Sequence, residues 1–108
     1  MNTKKLPPIH PGEILKEEFL EPMEMNQQQL AEGVNVSVEY INHIIQGQQA
    51  ITADMALRLS RYFSMSPQFW LNLQGHYDLE IAEDKLSNRL TKEIRPYIAP
   101  AYSMPAYS

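Results

Sequence analysis

Two short segments of helical periodicity, separated by only a few residues, constrain the fold of this chain most strongly. The first covers residues 27–33 and follows Asn26, whose side-chain oxygen can accept from an amide of the first helical turn. The second follows Ser37, which also caps helices well, and ends at Gly47. Between them, Asn35 is the non-glycine residue type that best tolerates a left-handed backbone, so the chain can turn sharply there. The pattern predicts a helix-turn-helix.

Apolar residues of this motif lie where two crossed helices must pack against each other. They are Leu30, Ala31, Val34, Val36, Ile41 and Ile44. The small side chain of Ala31 lets the helices approach closely, and the aliphatic side chains fill the angle between them. Because several independent spacings are met together, the pattern favours one packed motif over two unrelated helices.

Three further helices are predicted around the motif. The first covers residues 11–21 and is stopped by Pro22, the fourth is capped by Thr52, and the fifth begins at Ser66 and Pro67 and continues to about residue 90. Their apolar stripes comprise Ile14, Leu15 and Phe19 in the first, Met55, Ala56, Leu59 and Phe63 in the fourth, and Phe69, Trp70, Leu73, Tyr77 and Ile81 in the fifth. The fifth stripe is interpreted as core packing, with part of it as an alternative dimer seam.

No segment shows the alternating pattern of a strand bounded by hairpin turns, so the expected fold is all-α. We expect one helical domain over residues 10–92, a flexible N-terminus over residues 1–9, and an extended Pro/Tyr-rich tail over residues 93–108. The tail contains Pro-Ala-Tyr-Ser twice, and its repeated prolines oppose a regular helix or strand.

Composition excludes several classes of function. The chain has no cysteine, and it contains neither an apolar run long enough to cross a membrane nor an apolar stretch behind its polar N-terminus. We therefore expect a cytoplasmic protein without membrane contact. The three histidines are too scattered for a metal site, and no nucleophile, base and orienting group share a motif. The sequence predicts no enzyme activity and no cofactor.

Three blocks of sequence resemble the HigA-type antitoxin family, also called virulence-associated protein I. They are HPGEILKEEFL at 10–20, AITADMALRL at 50–59 and SPQFWLNLQ at 66–74. The resemblance covers about residues 9–83 and implies a five-helix, phage-repressor-like DNA-binding domain that is usually dimeric. It also implies that the protein represses its own operon and neutralises a small basic, mRNA-cleaving toxin encoded beside it.

The resemblance to phage-repressor domains also implies which residues meet operator DNA. The start of the second helix would anchor on phosphate through Gln27 and Gln28, and the exposed face of the third would read bases. That face and the lip after it comprise Ser37, Val38, Glu39, Asn42, His43, Gln46 and Gln48. Val38 can touch a thymine methyl, Glu39 can accept from cytosine, and Asn42 or Gln46 can pair with adenine. The alternative for the glutamines is plain solvated surface.

The charge distribution argues against strong DNA affinity. The net charge is −4, and no lysine or arginine occurs between Lys16 and Arg58. Relatives commonly read Gly-Lys-Arg after the third helix, whereas this chain reads Gly47-Gln48-Gln49. Two alternatives therefore stay open, namely a protein-interaction module with weakened DNA binding and a stand-alone transcriptional regulator without a toxin.

Overall fold

The computed structural model describes residues 6–99, and this part of the chain contains five helices and no strand. Helix α1 comprises Pro11–Ile14 and continues as a π-helical segment, Leu15–Leu20. The others are α2 (Gln27–Val34), α3 (Val38–Ile45), α4 (Ala53–Phe63) and α5 (Pro67–Glu93). The all-α fold predicted from the sequence is confirmed.

Helices α2 to α5 each begin with a side-chain cap at the predicted residue. Asn26, Ser37, Thr52 and Ser66 accept hydrogen bonds from the amides of Gln29, Tyr40, Met55 and Gln68, respectively. Each such cap satisfies an amide that the helix itself leaves unpaired and contributes about 1 kcal/mol. Local chemistry therefore fixes the start of every helix around the motif.

The first helix differs from the regular helix expected over residues 11–21. Its second half is π-helical, and the amide of Glu21 bonds to the carbonyl of Lys16, five residues earlier, at 2.9 Å. This wider turn brings residues five apart onto one side, so that Leu20 follows Leu15 into the core. Ile14 and Phe19, predicted to be buried, are only half-buried.

The core gathers apolar side chains from all five helices around the fully buried Trp70. Phe19 packs against the rings of Phe63 and Trp70, with ring centroids 4.9 and 5.0 Å apart. Helix α1 touches α3 through backbone, because a Cβ added at Gly12 would overlap the carbonyl oxygen of Ile44. This contact fixes the C-terminal end of α3 against α1.

His10 joins α1, the loop after α3, and α5. Its Nδ1 accepts from the Gly12 amide at 2.9 Å, and its ring lies edge-on to Tyr77 at 4.9 Å. Burial lowers the pKa of His10, against the opposing effects of the Asp78 charge and a hydrogen bond to the Gln49 backbone. The neutral imidazole therefore holds the loop beyond α3 in place.

The extended tail over residues 93–108 stays a prediction, because most of it lies outside the described residues. Helix α5 continues to Glu93, slightly beyond its predicted end, and Ile94–Ala99 has neither helix nor strand. Residues 1–5 and the doubled Pro-Ala-Tyr-Ser lie outside the described residues. Within residues 6–99, no helix is long and apolar enough to cross a membrane.

Candidate nucleic-acid interface

The outer face of α3 presents most of the predicted base-reading side chains together. Glu39, His43 and Gln46 are exposed, while Ile41 and Ile44 on the opposite face are completely buried. This division follows from helical spacing, since residues three, four and seven apart share a face. Burial of Ile41 and Ile44 thus anchors α3 in the core and turns its polar face outward.

Val38 and Asn42 are less available than their sequence positions suggested. Both are half-buried, and Val38 packs against the core. The side-chain oxygen of Asn42 accepts from Gln46 Nε2 at 3.5 Å, so these two amides already contact each other along the helix. Ser37 is exposed, but its Oγ accepts the Tyr40 amide at 3.1 Å, which leaves its hydroxyl proton to donate elsewhere.

The start of α2 is built as an amide-rich corner. Asn26 and Gln29 form a reciprocal capping box, with Oδ1 of Asn26 accepting at 2.8 Å and Oε1 of Gln29 accepting at 2.9 Å. Gln27, the first residue of α2, is half-buried beside this box. Gln28 donates its side-chain amide to Glu32 at 3.2 Å, which places a carboxylate beside the predicted phosphate contact.

Gly47 and Gln48 form the lip at the end of α3. Gly47 has φ of +78°, the left-handed conformation that ends a helix, and the amide of Gln48 bonds back to the His43 carbonyl at 2.8 Å. The side chain of Gln48 is exposed. The structure thus places all nine predicted residues on the α2 start, on α3, or at its two ends.

Comparison with known proteins identifies relatives with this architecture. The helix-turn-helix family model matches residues 16–70. Virulence-associated protein I of Dichelobacter nodosus is 54% identical over 84 residues, which is 77% of this chain and 78% of that protein. Antitoxin HigA-1 of Vibrio cholerae is 39% identical over 79 residues, covering 73% of this chain and 74% of that protein.

A solved structure that is similar to this chain contains an antitoxin together with promoter DNA. The Pseudomonas aeruginosa antitoxin HigA with the higBA promoter has a TM-score of 0.81 and 45% identity, covering 84% of this chain and 99% of that chain. The chain belongs to the HigA-type antitoxin family of helix-turn-helix proteins. The resemblance noted in the three sequence blocks is therefore confirmed.

This HigA-type chain carries an acidic rather than a basic motif. Glu39 is the only residue of α3 with a fixed charge, and Glu32 lies on α2 beside Gln28. Repressors usually meet phosphates with lysine and arginine, each of which releases condensed counterions. The polar side chains of this motif are instead mainly amides and hydroxyls, which carry no charge.

No role in the motif was predicted from the sequence for Arg58, the first cation after the motif along the chain. Its Nη1 donates to the carbonyls of Val34 and Asn35 at 2.8 and 3.4 Å, and its Nε bonds to Asp54 at 2.6 Å. Asn35 adopts the predicted left-handed conformation with φ of 59°. Helical spacing from Asp54 to Arg58 signalled an ion pair, but nothing local signalled the contact with the turn.

The remaining histidines do not join this interface. His76 lies on the exposed side of α5 near Glu80. Among residues 6–99, no three His, Asp or Glu side chains are grouped closely enough to hold a metal ion.

Proposed function

We propose that this HigA-type chain binds the operator of its own operon through α3 and represses transcription. The carrying observation is the outward face of Glu39, His43 and Gln46, held over a buried Ile41 and Ile44 pair. Carboxylate, imidazole and amide groups at helical spacing suit the edges of base pairs in the major groove. The relative crystallised with the higBA promoter supports this assignment by its fold.

The proposed DNA-binding residues divide by role. Ser37, Val38, Glu39, Asn42, His43 and Gln46 would read or flank base edges, whereas Gln27, Gln28 and Gln48 would contact the phosphate backbone. The internal hydrogen bond from Gln28 to Glu32 makes Gln28 the weakest of these assignments. The backbone amides at the start of α2 are better placed than side-chain cations to hold a phosphate.

We also propose that the protein is a homodimer joined through α5. Leu79, Leu86 and Leu90 follow each other by seven and four residues, so they share one side of the helix. Leu79 and Leu90 are 61% and 42% exposed, whereas Trp70 on the earlier, inner stripe is completely buried. The seam proposed here therefore starts at Leu79 and lies on the side of α5 opposite the core stripe.

The toxin-neutralising role rests on family membership. We propose that the partner is a small basic, mRNA-cleaving toxin encoded beside this gene, and that the chain acts in the cytoplasm without catalysis or cofactor. A net charge of −4 is complementary to a basic partner. Co-expression with the neighbouring open reading frame tests this role, because growth arrest by that frame alone and rescue by this chain are both expected.

A second candidate, a protein-interaction module with weakened DNA binding, is favoured by the lack of lysine and arginine between residues 16 and 58. A gel-shift titration with the gene's own upstream DNA separates the two. The operator-binding proposal expects a discrete complex with the upstream DNA, and an excess of random DNA should displace that DNA only poorly. If the upstream DNA is not shifted at tens of micromolar protein, the operator-binding proposal is wrong and the interaction module is favoured. If the protein then binds other DNA, a stand-alone regulator of another site is favoured.

A further inference from the structure

Two side chains of α4, one helical turn apart, contact the turn between α2 and α3. Arg58 donates through Nη1 to the carbonyl oxygens of Val34 and Asn35. These carbonyls lie at the end of α2, where a helix leaves its last acceptors without partners. A guanidinium bound to them forms charge-assisted hydrogen bonds, which are stronger than bonds between neutral groups.

Asp54 holds that guanidinium in a defined orientation. The Asp54 carboxylate accepts from Nε of Arg58 at 2.6 Å, while Nη1 of the same group reaches Val34 at 2.8 Å. One planar group therefore connects α4 to the turn through two edges. A lysine ammonium cannot reproduce this, because it lacks the fixed fork of donors.

Tyr62 supports the same contact from the next turn of α4. A Cβ added at Gly33 would overlap the Tyr62 ring, so this ring lies directly on the backbone of α2. The Tyr62 hydroxyl also lies 3.6 Å from the sulfur of Met25, just before α2. Three side chains of α4, Arg58, Arg61 and Tyr62, line an open groove of about 440 Å³ together with the end of α2 and Asn35.

The connection from this turn to the recognition helix is very short. Only Val36 and Ser37 separate Asn35 from the first residue of α3. The amide of Val36 bonds to the Ala31 carbonyl at 3.0 Å, and Ser37 caps α3. A shift of the Val34 and Asn35 carbonyls is therefore passed directly to the start of α3.

We propose that Arg58 is a positioning residue for base recognition, which fixes the direction in which α3 leaves the turn by holding the Val34 and Asn35 carbonyls to α4. The inference rests on the proposed operator binding and deepens it. Arg58 acts on selectivity through the position of α3, and its guanidinium is committed to the protein rather than to a DNA phosphate. Base contacts depend on the placement of α3 to within a fraction of an ångström, whereas backbone contacts tolerate displacement.

Arg61 supplies a matched control on the same helix. It is exposed, carries the same charge, lies one turn along α4 from Arg58 and lines the same groove, but within residues 6–99 only Arg58 donates to the Val34 and Asn35 carbonyls. Arg58→Gln and Arg61→Gln each remove one positive charge, so a difference between the two variants is not due to charge alone. Arg58→Lys keeps the charge but removes the fork of donors.

The test measures dissociation constants of the full-length chain for its own upstream DNA and for random DNA at one salt concentration. Arg58→Gln and Arg58→Lys are expected to lower the operator-to-random affinity ratio about tenfold, the size of one lost base contact. Arg61→Gln is expected to leave this ratio unchanged. An Arg58→Gln ratio equal to that of Arg61→Gln would overturn the inference, whereas absence of operator binding by the unmodified chain would overturn the proposed function itself.

Amide hydrogen exchange provides a readout that needs no DNA. In Arg58→Gln, the amides of Val36 and Tyr40 are expected to exchange faster than in Arg61→Gln, while the core amide of Leu59 stays equally protected. Equal exchange at Val36 and Tyr40 in the two variants would show that Arg58 does not hold the turn. If Arg58→Gln loses protection throughout the chain, exchange at the Val36 and Tyr40 amides is compared in the milder Arg58→Lys variant instead, with the same expected and contradicting results.

Discussion

Replacing Gln48 by Lys adds a cation at the lip of α3. Gln48 is exposed and follows the left-handed Gly47, so a longer side chain there extends into solvent without displacing the core. Each cation that meets a phosphate steepens the log-log dependence of affinity on salt by about 0.9. For one new contact, the affinity should fall about 3.5-fold more between about 50 and 200 mM salt than it does for the unmodified chain.

The assay is fluorescence anisotropy of labelled operator and random DNA over that salt range. At low salt, Gln48→Lys should strengthen binding to both DNAs by a similar factor and so leave the operator-to-random affinity ratio nearly unchanged. Gln49→Arg is expected to add less, because Gln49 is half-buried and its backbone is bonded to His10.

Asn88→Lys is the control, since it adds the same charge on an exposed position of α5 away from the motif. Equal steepening by Asn88→Lys and Gln48→Lys would show that overall charge, not the lip, governs salt dependence. The unmodified chain has no lysine or arginine in the motif, and its Arg58 is bonded to the turn, so its affinity should depend weakly on salt. A log-log salt slope already as steep as that of a basic repressor would refute this reasoning.

Three further predictions address recognition, pH and packing. His43→Ala should weaken operator binding by about 1–3 kcal/mol and random binding little, as measured by competition titration, and equal losses would contradict a base-reading role. Burial lowers the pKa of His10 below its usual 6.5, so the folded state favours the neutral imidazole. The contribution of His10 to the free energy of unfolding is therefore fully present above about pH 6.5 and is lost as the pH falls through the folded pKa. Urea unfolding between about pH 7 and 5 should show this loss, and His10→Asn, which keeps a capping oxygen, should reduce it. Gly12→Ala should destabilise the fold by about 1–3 kcal/mol, because the new Cβ overlaps the Ile44 carbonyl. Gly75→Ala should stabilise α5 by about 0.5–1 kcal/mol, because a Cβ there meets nothing within 4 Å. Thermal unfolding measures both changes.

The helix starts and the motif could be predicted from the sequence because their signals are local. Asn26, Ser37, Thr52 and Ser66 cap the helices that follow them, and the left-handed turn at Asn35 needs only the properties of that residue type. Burial of Ile41 and Ile44 likewise follows from spacing alone. These signals require no knowledge of how the helices pack.

The π-helical segment and the backbone contact of Gly12 could not be predicted in the same way. Leu15 and Leu20 are both buried only because the first helix widens against a core that other helices supply. Gly12 reads in the sequence as a residue near a helix start, and its contact with Ile44 exists only after α1 and α3 have packed. Availability of Val38 and Asn42 was overestimated for the same reason, since their burial depends on neighbouring helices.

The position of Arg58 changes how the shortage of cations in the motif should be interpreted. The sequence shows Arg58 only as the first cation after the motif, whereas its guanidinium bonds to Asp54 and to the carbonyls of Val34 and Asn35. Affinity gained from phosphate contacts is shared by all sequences, while affinity gained from a correctly placed α3 is confined to the operator. A repressor that uses its nearest arginine to place α3 should therefore bind random DNA weakly and depend on its base contacts. Gln48→Lys changes this balance by adding affinity for all DNA, and Arg58→Gln changes it by removing affinity for the operator alone.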